Sequence, residues 1–148
     1  MQISTKTRYA LRALLDLAEH HDEQPVRVQD ISERQQISKK YLEAIFSILK
    51  SAGFVSSVRG PNGGYMLKRN PSEISLYDIM KVTETSMDIV ECLDSPGFCS
   101  RNEKCAARLA WKAMKKCMEE HLGTVTLTVI INNAKKEESS CRDIVKTS

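Results

Sequence analysis

The order of elements between residues 29 and 68 constrains this chain more than any other feature. From Lys39 to about residue 51, Leu42, Ile45, Phe46 and Leu49 recur at i, i+3, i+4 and i+7, which marks one buried stripe of a helix. Ser38 is a good N-cap for it, and Gly53 can stop it as a C′ residue free to take positive φ. Phe54-Val55-Ser56-Ser57-Val58 then reads as a strand, Gly60-Pro61-Asn62-Gly63-Gly64 as a reversal, and Tyr65-Met66-Leu67-Lys68 as the returning strand. A short helix over about 29–35, buried through Ile31, precedes this unit, and Gln36-Ile37 form the turn between the two helices. Two helices, a short turn and a glycine-rich hairpin make the order of a winged helix-turn-helix.

The flanking segments extend the pattern. Residues 4–20 read as a helix capped by Ser4 or Thr5, with Tyr9, Ala10, Ala13, Leu14, Leu17 and Ala18 on one face. Asn70-Pro71 closes the hairpin unit, and Ser75-x-x-Asp78 is a capping box for a short helix through Val82. Residues 86–101 are a loop, and a long helix is expected over about 102–122. Its stripe contains Ala106, Ala110, Ala113, Met114, Cys117 and Met118. A helix of about 20 residues is roughly 30 Å long, more than a small first unit has surface to cover. The expected role is therefore a two-helix dimer interface, against the alternative of packing on the chain's own core. Thr124–Ile131 is ambiguous: its β-branched composition favours a strand, but no partner strand is evident, so a short helix is expected. Residues 134–148 are polar and read as disordered. The domains expected are 1–83, a winged helix-turn-helix; 84–101, a cysteine-bearing loop; 102–133, a dimerisation helix with a short C-terminal helix; and 134–148, a tail.

Composition excludes several classes. At 41% hydrophobic and 28% charged residues, the 148-residue chain is globular rather than disordered. No apolar run approaches the roughly 20 residues needed to cross a bilayer. The first residues carry no signal-peptide pattern, and a cytoplasmic protein is expected. The net charge of +3 is small but unevenly placed. Residues 1–70 carry 11 basic and 7 acidic side chains, and the rest 11 and 12. Within 38–69, Lys39, Lys40, Lys50, Arg59, Lys68 and Arg69 stand against Glu43 alone. A localised positive field fits a segment that meets phosphates, although a plain solvated face has the same composition.

The helix after Ser38 has what major-groove reading needs: an apolar stripe to anchor it and a basic first turn to reach the DNA. Ser38, Lys39, Lys40 and Tyr41 can contact phosphates, and Lys40, Glu43 and Ser47 can point towards bases. Tyr41 has a competing role as a core aromatic. Arg59, placed before Gly60, Pro61, Asn62, Gly63 and Gly64, can enter a minor groove, where negative potential is focused. Alone, such a hairpin is a turn with a solvated Arg; placed after a helix-turn-helix, it becomes specific. Glu43 is repelled by nearby phosphates and tolerated if it accepts from a cytosine N4 amino group, which would make it a selectivity filter. A surface ion pair with Lys39, Lys40 or Lys50 is the structural alternative.

The chain has five cysteines, an odd number that argues against a disulfide framework. Cys92-x6-Cys99-x5-Cys105 concentrates three of them in the loop and at the start of the long helix. Soft thiolates suit an iron–sulfur cluster or zinc. Structural zinc sites use tighter pairs, so a cluster is favoured over a zinc or thiol-redox site, and both over three unrelated buried cysteines. Cys117 lies twelve residues along the helix from Cys105, about 18 Å away, too far to join within one chain. His20, His21 and His121 read as surface residues.

Arg8-Tyr9-Ala10-Leu11-Arg12-Ala13-Leu14, Asp30-Ile31-Ser32-Glu33-Arg34-Gln35, Tyr41-Leu42-Glu43 and Val58-Arg59-Gly60-Pro61-Asn62-Gly63-Gly64-Tyr65 closely resemble the IscR/NsrR/CymR (Rrf-type) family of winged helix-turn-helix transcription regulators. The likeness is strongest to its IscR-like members and covers about residues 1–131. It implies a homodimeric bacterial regulator whose long C-terminal helices pair, and, as in several members, an iron–sulfur cluster on three cysteines. The chain departs from the pattern in three places. The first cysteine gap is six residues rather than five. Arg108 stands where IscR-like members supply a His, and Arg8 stands near where NsrR-like members supply a carboxylate. The fourth ligand is thus unassigned, with Glu91, Asp94, Glu103, Cys141, a partner-chain group or a small thiol as candidates.

The expected function is that of a homodimeric regulator, repressor or activator, binding a near-palindromic double-stranded DNA site. Its affinity would depend on an iron–sulfur cluster, 2Fe–2S favoured over 4Fe–4S, held by Cys92, Cys99 and Cys105. The rivals are the same regulator with a zinc or thiol switch, a redox or electron-transfer protein, and an interaction module without DNA. No nucleotide fingerprint, catalytic triad or paired metal-binding histidines support an enzyme.

Overall fold

A computed structural model describes residues 2–20, 24–94, 97, 99 and 104–146 of the chain. His21, Glu103 and the first part of the expected 102–122 helix lie outside the described residues, as do the side chains of Asp94 and Cys141.

Helix α1, Thr5–Glu19, is capped by the Ser4 side chain, which accepts from the Thr7 N–H at 3.2 Å. It buries Ala10, Ala13, Leu14 and Leu17 in the core that it shares with the helices that follow. Two of the four are alanines, so the backbones can approach closely. Helix α2, Val28–Gln35, buries Ile31 and ends at Gln36, which adopts the left-handed conformation at φ 54°. Helix α3, Lys39–Ser51, buries Leu42, Ile45, Phe46 and Leu49, the stripe read from its spacing. Burying each such side chain is worth roughly 1.5–3 kcal/mol.

The hairpin follows directly. Strands β1, Val55–Val58, and β2, Gly64–Leu67, pair antiparallel with Val55 opposite Leu67 and Val58 opposite Gly64. The sequence reading omitted a third edge. Val26, ahead of α2, exchanges both backbone hydrogen bonds with Tyr65, at 2.9 and 2.8 Å. The Tyr65 ring stacks on Phe46 of α3 with centroids 4.3 Å apart, so the wing is seated on the core by an aromatic pair.

A short 3-10 turn, Pro71–Glu73, carries an Asn70/Glu73 capping box, and helix α4, Leu76–Thr83, carries the expected one from Ser75 and Asp78. The end of α4 closes back on the start of α1. There the buried Thr7 and Thr83 hydroxyls share a 2.6 Å hydrogen bond, and Glu84 accepts from the Ser4 N–H at 2.8 Å.

The C-terminal part differs in detail from expectation. A short helix α5, Glu91–Asp94, interrupts the loop, and the long helix α6 runs over Ala106–Thr124 with Cys105 as its N-cap. None of its residues is buried. It rests on α4 and α5 through one half-covered side that includes Lys115, Met118, Glu119 and Leu122. Of the apolar stripe read from the sequence, Met118 is on that side, whereas Ala106, Ala110, Ala113, Met114 and Cys117 are exposed. The ambiguous Thr124–Ile131 segment satisfies both of its tendencies. Thr126 bridges Ser75, with Leu76 N–H donating to Val125 O at 2.8 Å and Leu127 N–H to Ile74 O at 3.0 Å. The partner was invisible in the sequence because it is the non-repetitive link ahead of α4. Helix α7 then starts at Leu127, which is fully buried, and continues to Lys146, through most of the segment whose polarity reads as disordered.

Candidate nucleic-acid interface and cysteine loop

Ser38 caps α3 by accepting from the Tyr41 N–H at 3.3 Å, which sets the helix start and points its first turn outward. Ser38, Lys39, Lys40, Tyr41, Glu43 and Ser47 are all exposed. Lys40, Glu43 and Ser47 fall at i, i+3 and i+7, so they share the face opposite the buried stripe. Tyr41 resolves between its two roles: its ring meets Tyr9 edge-on at 5.7 Å yet stays 37% exposed, at the rim and outside the core. Among the described residues Glu43 makes no ion pair. Lys50, one of its possible partners, instead donates to Ser57 Oγ at 2.6 Å and ties the end of α3 to β1.

The wing turn is built by its glycines. Gly60 has φ +115°, and the Gly63 N–H donates to Gly60 O at 2.9 Å to close the reversal. A Cβ on Gly63 would stand 2.3 Å from Val58 O, and one on Gly64 would stand 2.2 Å from Val26 O. Both positions are therefore closed to side chains by backbone contacts. Arg59, Pro61 and Asn62 are exposed at the tip. Lys39 and Glu43 of α3 and Pro61, Gly63 and Gly64 of the wing line one open cleft. Five of the residues read as DNA-facing, two from α3 and three from the wing, thus line one cleft.

Arg27 lines the same cleft and went unnoticed in the sequence. Its position just before a short helix gives it no more signal than any solvated Arg.

The cysteines occupy the other functional segment. Cys92 lies on α5, Cys99 in the loop and Cys105 at the head of α6, and all three are free and half-buried. Among the described residues, no three His, Cys, Asp or Glu side chains converge as a metal-holding group. The donors have the softness iron–sulfur chemistry requires. Arg108 Nε donates to Cys92 O at 3.4 Å and so links the Cys92 segment to the helix that begins at Cys105. The side chain standing at the IscR-type histidine position here serves as a strap. Cys117 is exposed on α6, away from the loop, and Glu91 is exposed beside Cys92. His20 and His121 are exposed, as expected. Lys115 pairs with Asp88 and anchors the stretch ahead of α5 to α6. The hydrogen bond that Lys115 donates to Asp88 outweighs the effect of burial and raises the Lys115 pKa.

An amphipathic helix with a solvent-facing polar side, set beside a narrow glycine-built hairpin on a three-helix core, defines a winged helix-turn-helix DNA-binding protein. The family model Rrf2, described as an iron-dependent transcriptional regulator, matches residues 3–133. The chain belongs to the Rrf2 family of transcription regulators. It is 40% identical over 133 residues to the HTH-type transcriptional regulator IscR of Serratia proteamaculans, spanning 90% of this chain and 80% of that one. The IscR of Xenorhabdus nematophila is 39% identical over the same shares. Among solved structures, CymR (YrzC), the global cysteine regulator of B. subtilis, superposes with a TM-score of 0.76 at 33% identity, covering 90% of this chain and 98% of that one. T. potens IscR superposes with a TM-score of 0.74 at 36% identity, covering 93% and 90%. This chain is a DNA-binding transcription regulator of the IscR/Rrf2 type, not an enzyme. Among the described residues, no helix is long and apolar enough to cross a membrane.

Proposed function

We propose that this regulator acts in the cytoplasm as a homodimer on a near-palindromic double-stranded site, and that its DNA affinity is set by an iron–sulfur cluster. The observation carrying the DNA half is the shared cleft of α3 and the wing, where Lys39 and Glu43 stand beside Pro61, Gly63 and Gly64. In this reading Ser38, Lys39, Lys40 and Tyr41 hold phosphates and Lys40, Glu43 and Ser47 face bases. Arg59, carried on the Gly60–Gly64 turn, enters the adjacent minor groove. Each contact of the first kind adds sequence-independent, salt-sensitive affinity, whereas the base-facing side chains discriminate. The tail-ward division into a cysteine loop, 84–101, and a dimerisation segment, 102–133, belongs to the same reading.

Cys92, Cys99 and Cys105 would hold the cluster. Bound there, a cluster would supply redox-sensitive chemistry, held by Cys92 of α5, Cys99 of the loop and Cys105 at the head of α6. The chain's own part is to present three half-buried thiols, with Arg108 keeping the Cys92 segment near Cys105. The description of the family and the names of the IscR relatives support this assignment. One observation favours a thiol switch as second reading: Cys92, Cys99 and Cys105 are free and only half-buried, within reach of an oxidant.

The visible spectrum of anaerobically purified protein, followed by gel shifts of the coloured and apo forms on one duplex, tests both readings. The cluster reading expects charge-transfer bands that Cys92→Ala, Cys99→Ala and Cys105→Ala each abolish and Cys117→Ala leaves. Colourless protein whose DNA affinity responds to thiol oxidation would establish the switch instead.

A further inference from the structure

The wing is short, with four residues in each strand, and an isolated two-stranded hairpin is marginal in water. Tyr65, opposite Ser57 near the turn end of the hairpin, seats the strands on Phe46, but that aromatic pair does not itself engage the turn residues 59–63. The tip has its own fastening. Arg27 Nη2 donates to Pro61 O and to Asn62 Oδ1, each at 3.1 Å. Arg27 is the residue after Val26, whose backbone pairs with Tyr65, and it is the N-cap of α2. The ladder therefore fixes where the Arg27 backbone sits beside β2, and its side chain runs along the hairpin to the turn. Both bonds come from one nitrogen, Nη2, whose two N–H groups are fixed in the guanidinium plane, so meeting two acceptors at once restricts the turn in direction as well as distance.

The tip has reason to be held. A B-DNA minor groove is only about 6 Å wide, so a displacement of an ångström or two decides whether an Arg enters it. We propose that Arg27 and Asn62 form a positioning pair that fixes the wing turn against α2 and thereby sets how Arg59 meets the minor groove. The proposal rests on the reading of Arg59 as the wing's DNA contact. It differs from a role for Arg27 as one more phosphate-facing charge. A charge would act without Asn62, and lysine would replace it. The pair acts through the two fixed, in-plane N–H groups of Nη2, which the shorter lysine with its freely rotating ammonium does not reproduce, and its effect passes through Arg59.

The test uses the full chain and a duplex that the parent protein selects from a randomised pool, with affinities measured by fluorescence anisotropy at fixed salt. Arg27 and Asn62 are exposed, and thermal melts confirm that each variant is folded. Arg27→Ala, Arg27→Lys and Asn62→Ala are each expected to weaken binding roughly three- to tenfold, the scale of a charge-assisted hydrogen bond acting through preorganisation. The Arg27→Ala/Asn62→Ala double variant should lose no more than Arg27→Ala alone, and Arg27→Ala should cost nothing further in an Arg59→Ala background. Parental affinity for Asn62→Ala or Arg27→Lys, or losses that add to that of Arg59→Ala, overturns the pair. If Arg59→Ala itself binds like the parent, the reading of the wing falls as well. If Arg59→Ala binds weakly while the Arg27 and Asn62 variants bind normally, only the pair falls.

Discussion

Glu43 stands on the outer face of α3 without an ion pair among the described residues, and Lys50 is engaged by Ser57. A carboxylate left free beside phosphates opposes binding unless it accepts a hydrogen bond from a base amino group. Glu43→Ala is expected to broaden site choice and to tighten binding to poor sites by roughly 1–3 kcal/mol. Selection from a randomised DNA pool at fixed salt measures it, and a parental site preference would reduce Glu43 to a surface charge. Gln36 presents a different local conflict. It holds φ 54° in the turn between α2 and α3, where an L-residue crowds its own carbonyl. Gln36→Gly removes the crowding, although it also loses the Gln36 Nε2 bond to Glu33 O. A net gain of about 0.5–1 kcal/mol is expected, visible as a raised Tm; a lowered Tm would mean that the side-chain bond outweighs the backbone relief.

Between elements, the brace of α1 on α2 is ionic. The Asp16 side chain is 1% exposed and accepts from Arg34 Nη2 at 2.6 Å, Arg34 Nε at 3.0 Å and Gln35 Nε2 at 2.9 Å. Burial works to raise the Asp16 pKa, but these hydrogen bonds and the Arg34 charge outweigh it, and the carboxyl titrates below its ordinary value. A depressed folded pKa stabilises the protein above the unfolded value, about 3.9, and that contribution is lost as pH falls through the folded one. Arg34→Met should cost roughly 1–3 kcal/mol at neutral pH, less than for a fully buried pair because the Arg34 side chain is 35% exposed. The gap to the parent should narrow as pH drops through the carboxylate range, and a gap independent of pH in thermal melts would remove Asp16 from the account. The wing depends on steric room. Gly64→Ala drives a Cβ into Val26 O at 2.2 Å, and the expected outcome is a loss of roughly 2–4 kcal/mol. Unchanged stability in urea would show that the Val26 edge is dispensable.

The whole molecule leaves α6 half-dressed. Leu109, Trp111 and Met114 are 69%, 39% and 47% exposed on a helix that buries no residue. Large apolar side chains left this exposed belong against another surface, and the dimer proposed above supplies it. Leu109→Glu and Met114→Glu should shift sedimentation towards the monomer and weaken binding to a palindrome much more than to a half-site. A parental sedimentation coefficient for both would place the interface elsewhere.

Local sequence alone determined the elements that carry DNA recognition. Leu42, Ile45, Phe46 and Leu49 have a period only a helix can bury, Ser38 and Ser75 cap where their side chains can reach N–H groups, and the glycine-rich turn admits only a reversal. Each of these depends on residues within about four positions of each other. Tertiary structure decided what depends on distant partners. Val26 became a wing edge because Tyr65 lies opposite it, Thr126 found its bridge in Ser75, part of a distant link that no pattern marks as strand, and Arg27 turned from a solvated charge into a strap because the wing tip came within 3.1 Å. The spacing of Cys92, Cys99 and Cys105 announced soft-ligand chemistry. How a loop brings thiols together, however, is fixed by what the loop packs on and what it binds, and the spacing contains neither.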